Sequence, residues 1–426
     1  MKQLELFTPY TRDERQAICM KNWFKHKGCG TIVAPTGLGK TRIGLNSLST
    51  IIAKYPDKKY LVVVPTQPLK EQWQIQLDER GLSFNGEVQI INTVVKHSWE
   101  ADILIIDEAH RYASDMFSQI FTCVKYKYIL GLTATFERLD GKEALISRYC
   151  PVIETITTEE ALFNNWISQY KEYAVLLDVD NLDIYNELNK EFYTHFEFFN
   201  HDFSLAMSCL GKNGLHGRLR LRDIMCPRGT KEEKSSVLKS IIIHATGFAR
   251  TLQARKKFVN NHVKKIEVAR KIIEARSDKK IITFSNNVAM AESIGIGYVY
   301  TGRTSKKKGR ATLEEFSEMD TSGVINSVAR LNEGADIKGL SVAIHLGIDS
   351  SKTKAIQKRG RVVRMEKDKV AENFILVIRG TVEEAWLRKA YGANITKIDE
   401  EELDKILKGE EVTPSRKVLT NLMFRF

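Results

Sequence analysis

Short apolar runs alternate with longer amphipathic stretches over the first 150 residues of the chain. The runs are rich in Val and Ile and end at a turn or polar residue, which is typical of buried strands. They are Gly30–Pro35, Tyr60–Pro65, Val88–Ile91, Ile103–Ile106 and Tyr128–Leu132. Several intervening stretches are long enough for a crossover helix, so the pattern predicts a mainly parallel α/β sheet.

The same alternation returns near residue 280 and predicts a second α/β unit. Its candidate strands are Lys280–Phe284, Ile296–Tyr300, Gly323–Ser327, Val342–Leu346 and Phe374–Ile378. Between the two units the pattern is helical, and its best helices are Asn181–Asn200 and Lys231–Phe258. We therefore predict a first α/β domain (1–155), a helical insert (156–260), a second α/β domain (261–400) and a C-terminal helix and tail (401–426).

The length and composition exclude several classes of protein. A chain of 426 residues is too long for one ordinary core, and 43% apolar residues exclude wholesale disorder. No apolar run is long enough for a membrane span, the N-terminus lacks a signal-peptide pattern, and the six cysteines have no metal-binding spacing. We expect a cytoplasmic protein with no membrane partner, in the host cytoplasm if it is phage-encoded.

The net charge of +12 is concentrated in one segment of the chain. Gly211–Lys280 contains 19 Lys and Arg against 6 Asp and Glu, whereas Pro151–Leu210 contains 2 Lys against 11 acidic residues and is rich in aromatics. Such asymmetry indicates a polyanionic partner. We predict that Arg255, Lys256 and Lys257 contact nucleic acid and that most of the aromatic side chains form the core of the insert.

The segment Gly30-Thr-Ile-Val-Ala-Pro-Thr-Gly-Leu-Gly-Lys-Thr41 predicts a strand, a glycine-rich loop and a helix. In such a loop the backbone amides point at phosphate oxygens, a lysine reaches the β- and γ-phosphates, and a hydroxyl ligates Mg²⁺. The predicted nucleotide contacts are Thr36, Gly37, Gly39, Lys40 and Thr41, the last also a metal ligand. The sequence therefore predicts an ATP and Mg²⁺ site.

A second motif, Ile103-Leu-Ile-Ile-Asp-Glu-Ala-His110, places two carboxylates at the carboxyl end of an apolar strand. Ligands bind at that end of the strands in an open α/β sheet. We predict that Asp107 holds the Mg²⁺ shell and that Glu108 orients and deprotonates the attacking water.

Together with Gly131-Leu-Thr-Ala-Thr135, these motifs resemble the series found in superfamily 2 DExH-box helicases and translocases. The later segments Gly334-Ala-Asp336 and Gln357-Lys-Arg-Gly-Arg-Val-Val-Arg364 resemble motifs V and VI of the same superfamily. The resemblance spans roughly residues 8 to 395. It implies two RecA-like parallel-sheet domains in tandem with a helical insert between them.

The resemblance also implies roles for residues on both domains. Arginine fingers stabilise the transition state of phosphoryl transfer, and Arg361 and Arg364 would enter the ATP cleft with Gln357. Gly334 and Asp336 would contact nucleotide across the cleft. The remaining residues would couple the nucleotide state to movement, and they are His110, Thr133 and Thr135.

Other segments resemble the superfamily's adenine-binding and strand-contacting motifs. Gln16, near the N-terminus, would read the adenine edge with both its amide groups. Thr66, at a predicted helix start, would bind a backbone phosphate. By their positions, the further nucleic-acid contacts are Arg138, Thr301 and Arg303.

The continuation Thr-Ala-Thr-Phe-Glu-Arg-Leu-Asp-Gly141 resembles the group of XPB, RecG-like enzymes and the phage UvsW branch-migration helicase. It implies an ATP-dependent DNA helicase or translocase that acts in replication, recombination or repair, with duplex or branched DNA as its partner. Two alternatives stay open: an RNA helicase, and a non-unwinding duplex-translocating ATPase subunit of a larger complex. Replication or recombination proteins are candidate partners.

Overall fold

The computed structural model describes residues 7–136, 142–211, 214–301, 304–319, 322–328, 337, 339–348, 370–392, 395–410 and 412. Two parallel sheets form the centres of two α/β lobes, and a bundle of helices lies between them in sequence. Most predicted strands are confirmed within a few residues of their predicted limits, because uninterrupted Val and Ile runs favour strands that are buried on both faces.

The first lobe is built on a six-stranded sheet in which every pair of neighbours is parallel. Two short strands, β4 and β6, pair separately. The strands are β1 (Cys29–Val33), β2 (Tyr60–Val64), β3 (Gly86–Ile90), β4 (Trp99–Glu100), β5 (Ile103–Asp107), β6 (Val124–Lys125), β7 (Tyr128–Thr133) and β8 (Val152–Thr155). The sheet order β3-β2-β5-β7-β1-β8 places the predicted glycine-rich loop next to the strand that precedes Thr135.

In the described part of this lobe, seven α-helices accompany the sheet. They are α1 (Arg12–Lys25), α2 (Lys40–Lys54), α3 (Gln67–Asp78), α4 (Ile91–Val94), α5 (Ile120–Cys123), α6 (Glu143–Tyr149) and α7 (Thr158–Phe163). A capping box between Thr11 and Glu14 fixes the start of α1. The core of this lobe also includes Trp166 and Ile167, both almost fully buried.

The insert contains α8 (Leu182–Glu197), α9 (Phe203–Ser208), α10 (Leu215–Met225) and α11 (Lys231–Asn260). Its core is aromatic, as predicted, with Phe192, Phe199 and Phe248 buried between the helices. No helix in the described ranges is both long and apolar enough to cross a membrane.

The second lobe is built on a seven-stranded sheet with parallel neighbours. Its strands are β9 (Gln169–Leu177), β10 (Lys280–Ser285), β11 (Tyr298–Tyr300), β12 (Gly323–Val328), β13 (Leu340–His345), β14 (Val370–Ile378) and β15 (Thr396–Ile398). Its helices are α12 (Val263–Ala275), α13 (Val288–Ser293), α14 (Lys306–Glu318), α15 (Val382–Tyr391) and α16 (Glu400–Leu407).

Two predicted segment boundaries differ from the structure. The predicted insert starts at residue 156, but residues up to Ile167 pack on the first lobe and β9 lies between β14 and β15 in the second sheet. The C-terminal helix α16 is likewise part of the second lobe, since Leu403 and Ile406 lie in its core. These attachments depend on partners far away in the sequence, which local periodicity does not reveal.

Candidate active site

The glycine-rich loop connects β1 to α2. Gly37 and Gly39 have φ angles of 92° and 89°, a region that glycine adopts without steric cost. Gly39 is the N-cap residue of α2 and has no side chain, so no side-chain acceptor occupies the first amides of this helix. The Lys40 ammonium donates to the carbonyl of Ala34 at 3.2 Å. The loop has the backbone geometry of a phosphate-binding turn.

Helix α1 holds this loop from one side. The amide nitrogen of Gln16 donates to the Leu38 carbonyl at 2.7 Å, so this amide group is already engaged within the chain. The other atom, Gln16 Oε1, is buried and has no hydrogen-bond partner among the described residues. Because Nε2 carries two N–H groups and the Leu38 carbonyl accepts from one of them, the reading of adenine by both amide groups stays a prediction.

Arg12 is a contact that we did not predict from the sequence. Its guanidinium donates to the Leu38 carbonyl at 2.9 Å and to the Gly37 carbonyl at 2.6 Å. Burial and the charge of Arg42 lower the pKa of Arg12. Arg12 lies four residues before Gln16 on the same helix face, and that spacing was a usable signal in the sequence.

The two carboxylates of the second motif lie at the carboxyl end of β5. Asp107 is 4% exposed and accepts hydrogen bonds from the Trp73 indole at 2.9 Å and from the Glu108 amide at 3.0 Å. Burial and the charge of Glu108 raise the pKa of Asp107 to about 6, although the Trp73 bond and the charge of Lys40 oppose that shift. Two acidic groups are thus held side by side at the predicted metal site.

Trp73 is a second contact that we did not predict. Its position four residues before Leu77 on α3 indicates a buried helix face, and both side chains are buried. Nothing in that spacing indicates that the indole bonds to a strand-end carboxylate.

The structure brings His110, Thr133 and Thr135 together beside Glu108. His110 Nδ1 lies 3.4 Å from Glu108 Oε2 and 2.9 Å from Thr133 Oγ1. The Thr133 hydroxyl donates its single proton to the Thr135 carbonyl at 2.6 Å, so the proton between Thr133 and His110 belongs to Nδ1. The strand-end carboxylate is therefore linked to the end of β7 through one imidazole.

Comparisons with known proteins identify similar families. The family "Type III restriction enzyme, res subunit" matches residues 10–98 and 92–138, and "Helicase conserved C-terminal domain" matches residues 264–366. The DNA 3'-5' translocase XPB2 of Sulfurisphaera tokodaii is 28% identical over 86% of this chain and 82% of its own length. These matches are consistent with a superfamily 2 helicase or translocase. The chain is an enzyme of the helicase and ATPase class.

Two further comparisons concern the XPB group and the fold. The XPB subunit of the general transcription and DNA repair factor IIH of Drosophila melanogaster is 22% identical, over 84% of this chain and 43% of its own length. The helicase domain of Pyrococcus furiosus Hef superposes with a TM-score of 0.53 at 18% identity, covering 89% of this chain and 97% of that structure. This likeness confirms the predicted fold of two RecA-like lobes in tandem.

The predicted nucleic-acid contacts differ in burial and in hydrogen bonding. Thr66 is the N-cap residue of α3, and its hydroxyl is buried with no hydrogen-bond partner among the described residues. Thr301 is buried, and its amide donates to the Thr304 hydroxyl at 3.2 Å. Lys256 and Lys257 are exposed on α11.

Arg255 is not a nucleic-acid contact in this structure. It is 6% exposed, with its guanidinium 4.1 Å from the centre of the Phe192 ring and 5.7 Å from that of Tyr185. A guanidinium can replace water with aromatic faces, and here it does so inside the insert. The prediction was wrong because a run of basic residues on a helix presents only some of them to solvent.

Several predicted residues lie outside the described ranges. They include the arginine fingers and both motif V positions, and they are Arg138, Arg303, Gly334, Asp336, Gln357, Arg361 and Arg364. Their roles stay predictions.

Proposed function

We propose that this chain hydrolyses ATP to move on DNA and to unwind or branch-migrate it in replication, recombination or repair. The observation that carries the motor mechanism is the contact series from Glu108 through His110 to Thr133. The choice of DNA is supported by the Sulfurisphaera relative, which is described as a DNA translocase.

The side chains at the site suit ATP and Mg²⁺. The buried Gln16 Oε1 is an acceptor for the exocyclic amine of adenine. The Thr41 hydroxyl and the Asp107 carboxylate are oxygen donors of the kind that Mg²⁺ takes alongside phosphates and water. No cluster of three or more His, Cys, Asp or Glu side chains in the described part of the chain forms a metal cage, and Mg²⁺ bound in this way needs none.

In the proposed reaction Glu108 accepts a proton from the water that attacks the γ-phosphorus. The bond from that phosphorus to the bridging oxygen breaks, which yields ADP and phosphate. Mg²⁺ would neutralise charge on the phosphates when bound. The loop amides and Lys40 would hold the phosphates, and Asp107 and Thr41 would hold the metal. The same proposal assigns transition-state stabilisation to Arg361 and Arg364, with Gln357 beside them.

His110 couples this chemistry to the rest of the first lobe. Its Nδ1 donates to Thr133 and lies 3.4 Å from Glu108 Oε2, so a change in the charge or position of the carboxylate alters the bond at the end of β7. Thr135 accepts the next bond in the series. The proposal therefore places the nucleotide sensor at residues 108, 110, 133 and 135.

Thr66 and the exposed lysines of α11 form the proposed DNA contacts in the described ranges. The unbonded Thr66 hydroxyl stands at a helix start, where amides and dipole both favour a phosphate. Lys256 and Lys257 supply charge without reading sequence. Thr301, Arg138 and Arg303 stay proposed contacts.

The deciding experiment measures ATPase rates with single-stranded DNA, duplex DNA, forked DNA, Holliday junctions and RNA, with Glu108→Gln as the inactive control. Stimulation by DNA together with strand displacement supports the proposal. Stimulation by RNA alone selects an RNA helicase, and DNA stimulation without any strand displacement selects a duplex translocase. Equal rates for Glu108→Gln and the wild type contradict the mechanism itself.

Charge reversal tests the DNA surface. Replacing Lys256 and Lys257 with Glu should weaken DNA binding and lower the slope of log affinity against log salt by about 2, roughly 0.9 for each lost phosphate contact. The matched control replaces Lys231 and Lys239 with Glu; these two lysines are exposed nearer the other end of α11. An equal loss in both variants would mean that only net charge matters.

A further inference from the structure

The covalent crossing from the first lobe to the second is one residue long at Ser168. Ile167 is 2% exposed and belongs to the core of the first lobe. Gln169 begins β9, which pairs with β14 along nine successive residue pairs of the second sheet. A single residue spans at most about 3.6 Å, so this crossing has no slack in which to absorb a movement of either end.

The segment just before the crossing is tied to the N-terminal end of α1. The Trp166 indole donates to the Tyr10 carbonyl at 3.1 Å, and the Tyr10 amide donates to Asn164 Oδ1 at 2.9 Å. Both backbone groups of Tyr10 are thus used by side chains more than 150 positions later in the chain. Since α1 begins two residues after Tyr10, its first turn and the crossing move together.

Arg15 makes a second tie from the same turn of α1. Its guanidinium donates to Glu160 on α7 at 2.6 Å and to Glu154 on β8 at 2.8 Å. The side chains of Arg15, Glu160 and Glu154 are 9%, 12% and 15% exposed, so water screens these bonds only weakly. Two carboxylates on one guanidinium fix its orientation as well as its charge.

The same end of α1 also holds the nucleotide loop. Arg12 and Gln16 donate to the carbonyls of Gly37 and Leu38, as described for the candidate active site. The start of α1 therefore contacts the phosphate-binding loop through residues 12 and 16, and β8 and α7 through residue 15. Tyr10, just before α1, contacts the segment that leads into the crossing. A capping box between Thr11 and Glu14 fixes the start of this turn.

We propose that Arg15 and Trp166 are positioning residues that transmit the state of the nucleotide loop to the single-residue crossing between the lobes. This inference rests on the proposed function, because it concerns how ATP binding alters the grip on DNA. Within the described ranges neither side chain forms a hydrogen bond or ion pair with the loop, and neither is one of the motif residues of the active site. Their action is to keep α1, α7 and the start of β9 in one register.

Trp166→Phe tests the proposal with little loss of packing, because the ring stays apolar and aromatic while the indole donor is removed. The readout is the ratio of DNA affinities with and without a non-hydrolysable ATP analogue, which measures coupling between the two sites. We expect the ratio to fall toward unity by about threefold or more, the size of one hydrogen bond. The affinity for the analogue alone should stay within about twofold of wild type.

Trp23→Phe is the matched control. Trp23 is also fully buried in the first lobe, and its indole also donates to a backbone carbonyl, that of Ile129 at 2.9 Å. It makes no bond to the crossing segment, so this variant should keep the wild-type ratio. An unchanged ratio in Trp166→Phe, or an equal fall in both variants, would overturn the proposal.

Glu160→Gln is a second, isosteric variant that removes one charge from the Arg15 pair. It should lower the coupling ratio in the same direction as Trp166→Phe while basal ATPase activity is kept. A wild-type ratio in this variant would remove Arg15 from the proposal. If the wild-type protein itself shows no DNA-stimulated ATPase activity, the proposed function fails, a result distinct from a loss of coupling in the variants alone.

Discussion

Both lobes hold buried carboxylates near the carboxyl ends of their parallel strands, but the two sets have different electrostatic surroundings. In the second lobe the Glu383 carboxylate accepts hydrogen bonds from the Lys265 ammonium at 2.6 Å and from the Ile378 amide at 3.0 Å. Lys265 also donates to the Leu346 carbonyl at 3.0 Å. Both side chains are fully buried, and their charges cancel within the protein.

In the first lobe the two acids stand next to each other. Asp107 and Glu108 repel each other, and the nearby Lys40 donates its bond to a backbone carbonyl. A buried like-charge pair is costly unless a cation joins it. The comparison teaches that an ion pair buried within the chain stabilises the lobe, whereas two adjacent acids at a strand end suit the binding of a cation.

The largest expected effect comes from Glu108→Gln. Loss of a general base should lower the ATP hydrolysis rate by about 10²- to 10⁴-fold, while ATP binding persists because the loop is intact. Thermal stability should stay the same or rise, since one of two repelling charges is removed. A steady-state ATPase assay and a thermal melt measure the two quantities.

The same substitution at Glu383 should have the opposite signature. Glu383→Gln leaves the Lys265 charge buried without its partner, so the second lobe should lose about 3–5 kcal/mol of unfolding free energy. Denaturant unfolding measures the loss, and Lys265→Met combined with Glu383→Leu should restore much of it. A loss of unfolding free energy in Glu108→Gln as large as that in Glu383→Gln would contradict this comparison.

A smaller effect is expected at Trp73, which orients the Asp107 carboxylate by donating a hydrogen bond to it. In Trp73→Phe the Mg²⁺ concentration for half-maximal ATPase activity should rise by about tenfold, the usual loss for an outer-shell ligand partner. Titration of Mg²⁺ at saturating ATP measures it. Trp23→Phe provides the control for loss of an indole bond, and an equal rise there would remove Trp73 from the site.

The smallest effect concerns a third pair, His195 and His244, in the insert. Their Nδ1 atoms lie 3.3 Å apart, and Glu191, which Arg250 binds, faces the other nitrogen of His195 at 3.8 Å. Burial and the charge of His195 lower the pKa of His244. The folded insert thus favours neutral His244.

Because folding lowers the pKa of His244, the insert should be most stable above the unfolded histidine pKa of about 6.5. It should lose stability as the pH falls below that value. Hydrogen exchange of α8 and α11 amides at pH 7.5 and pH 5.5, relative to the same amides in His244→Phe, measures the change. Equal protection differences in the variant and the wild type would show that His244 has no part in it.

Local patterns predicted much of the fold and of the nucleotide site. Strands β1, β5 and β7 are apolar runs that end at glycine-rich, acidic or hydroxyl residues, and such runs carry their own evidence of burial and direction. The contacts at Arg12 and Trp73 were missed because a residue type does not state which distant carbonyl or carboxylate it will meet.

The sequence by itself determined the class of chemistry, because a phosphate loop, a pair of strand-end acids and their spacing are local features of the chain. Only the tertiary structure decided that β9 joins the second sheet, since its partner strand β14 lies far away in the sequence. Phe374 of β14 is paired with Tyr173 of β9. The tertiary structure likewise decided that Arg255 is buried beneath Phe192 rather than exposed beside Lys256. Such outcomes depend on which surfaces meet once the chain has folded, and no window of neighbouring residues contains both surfaces.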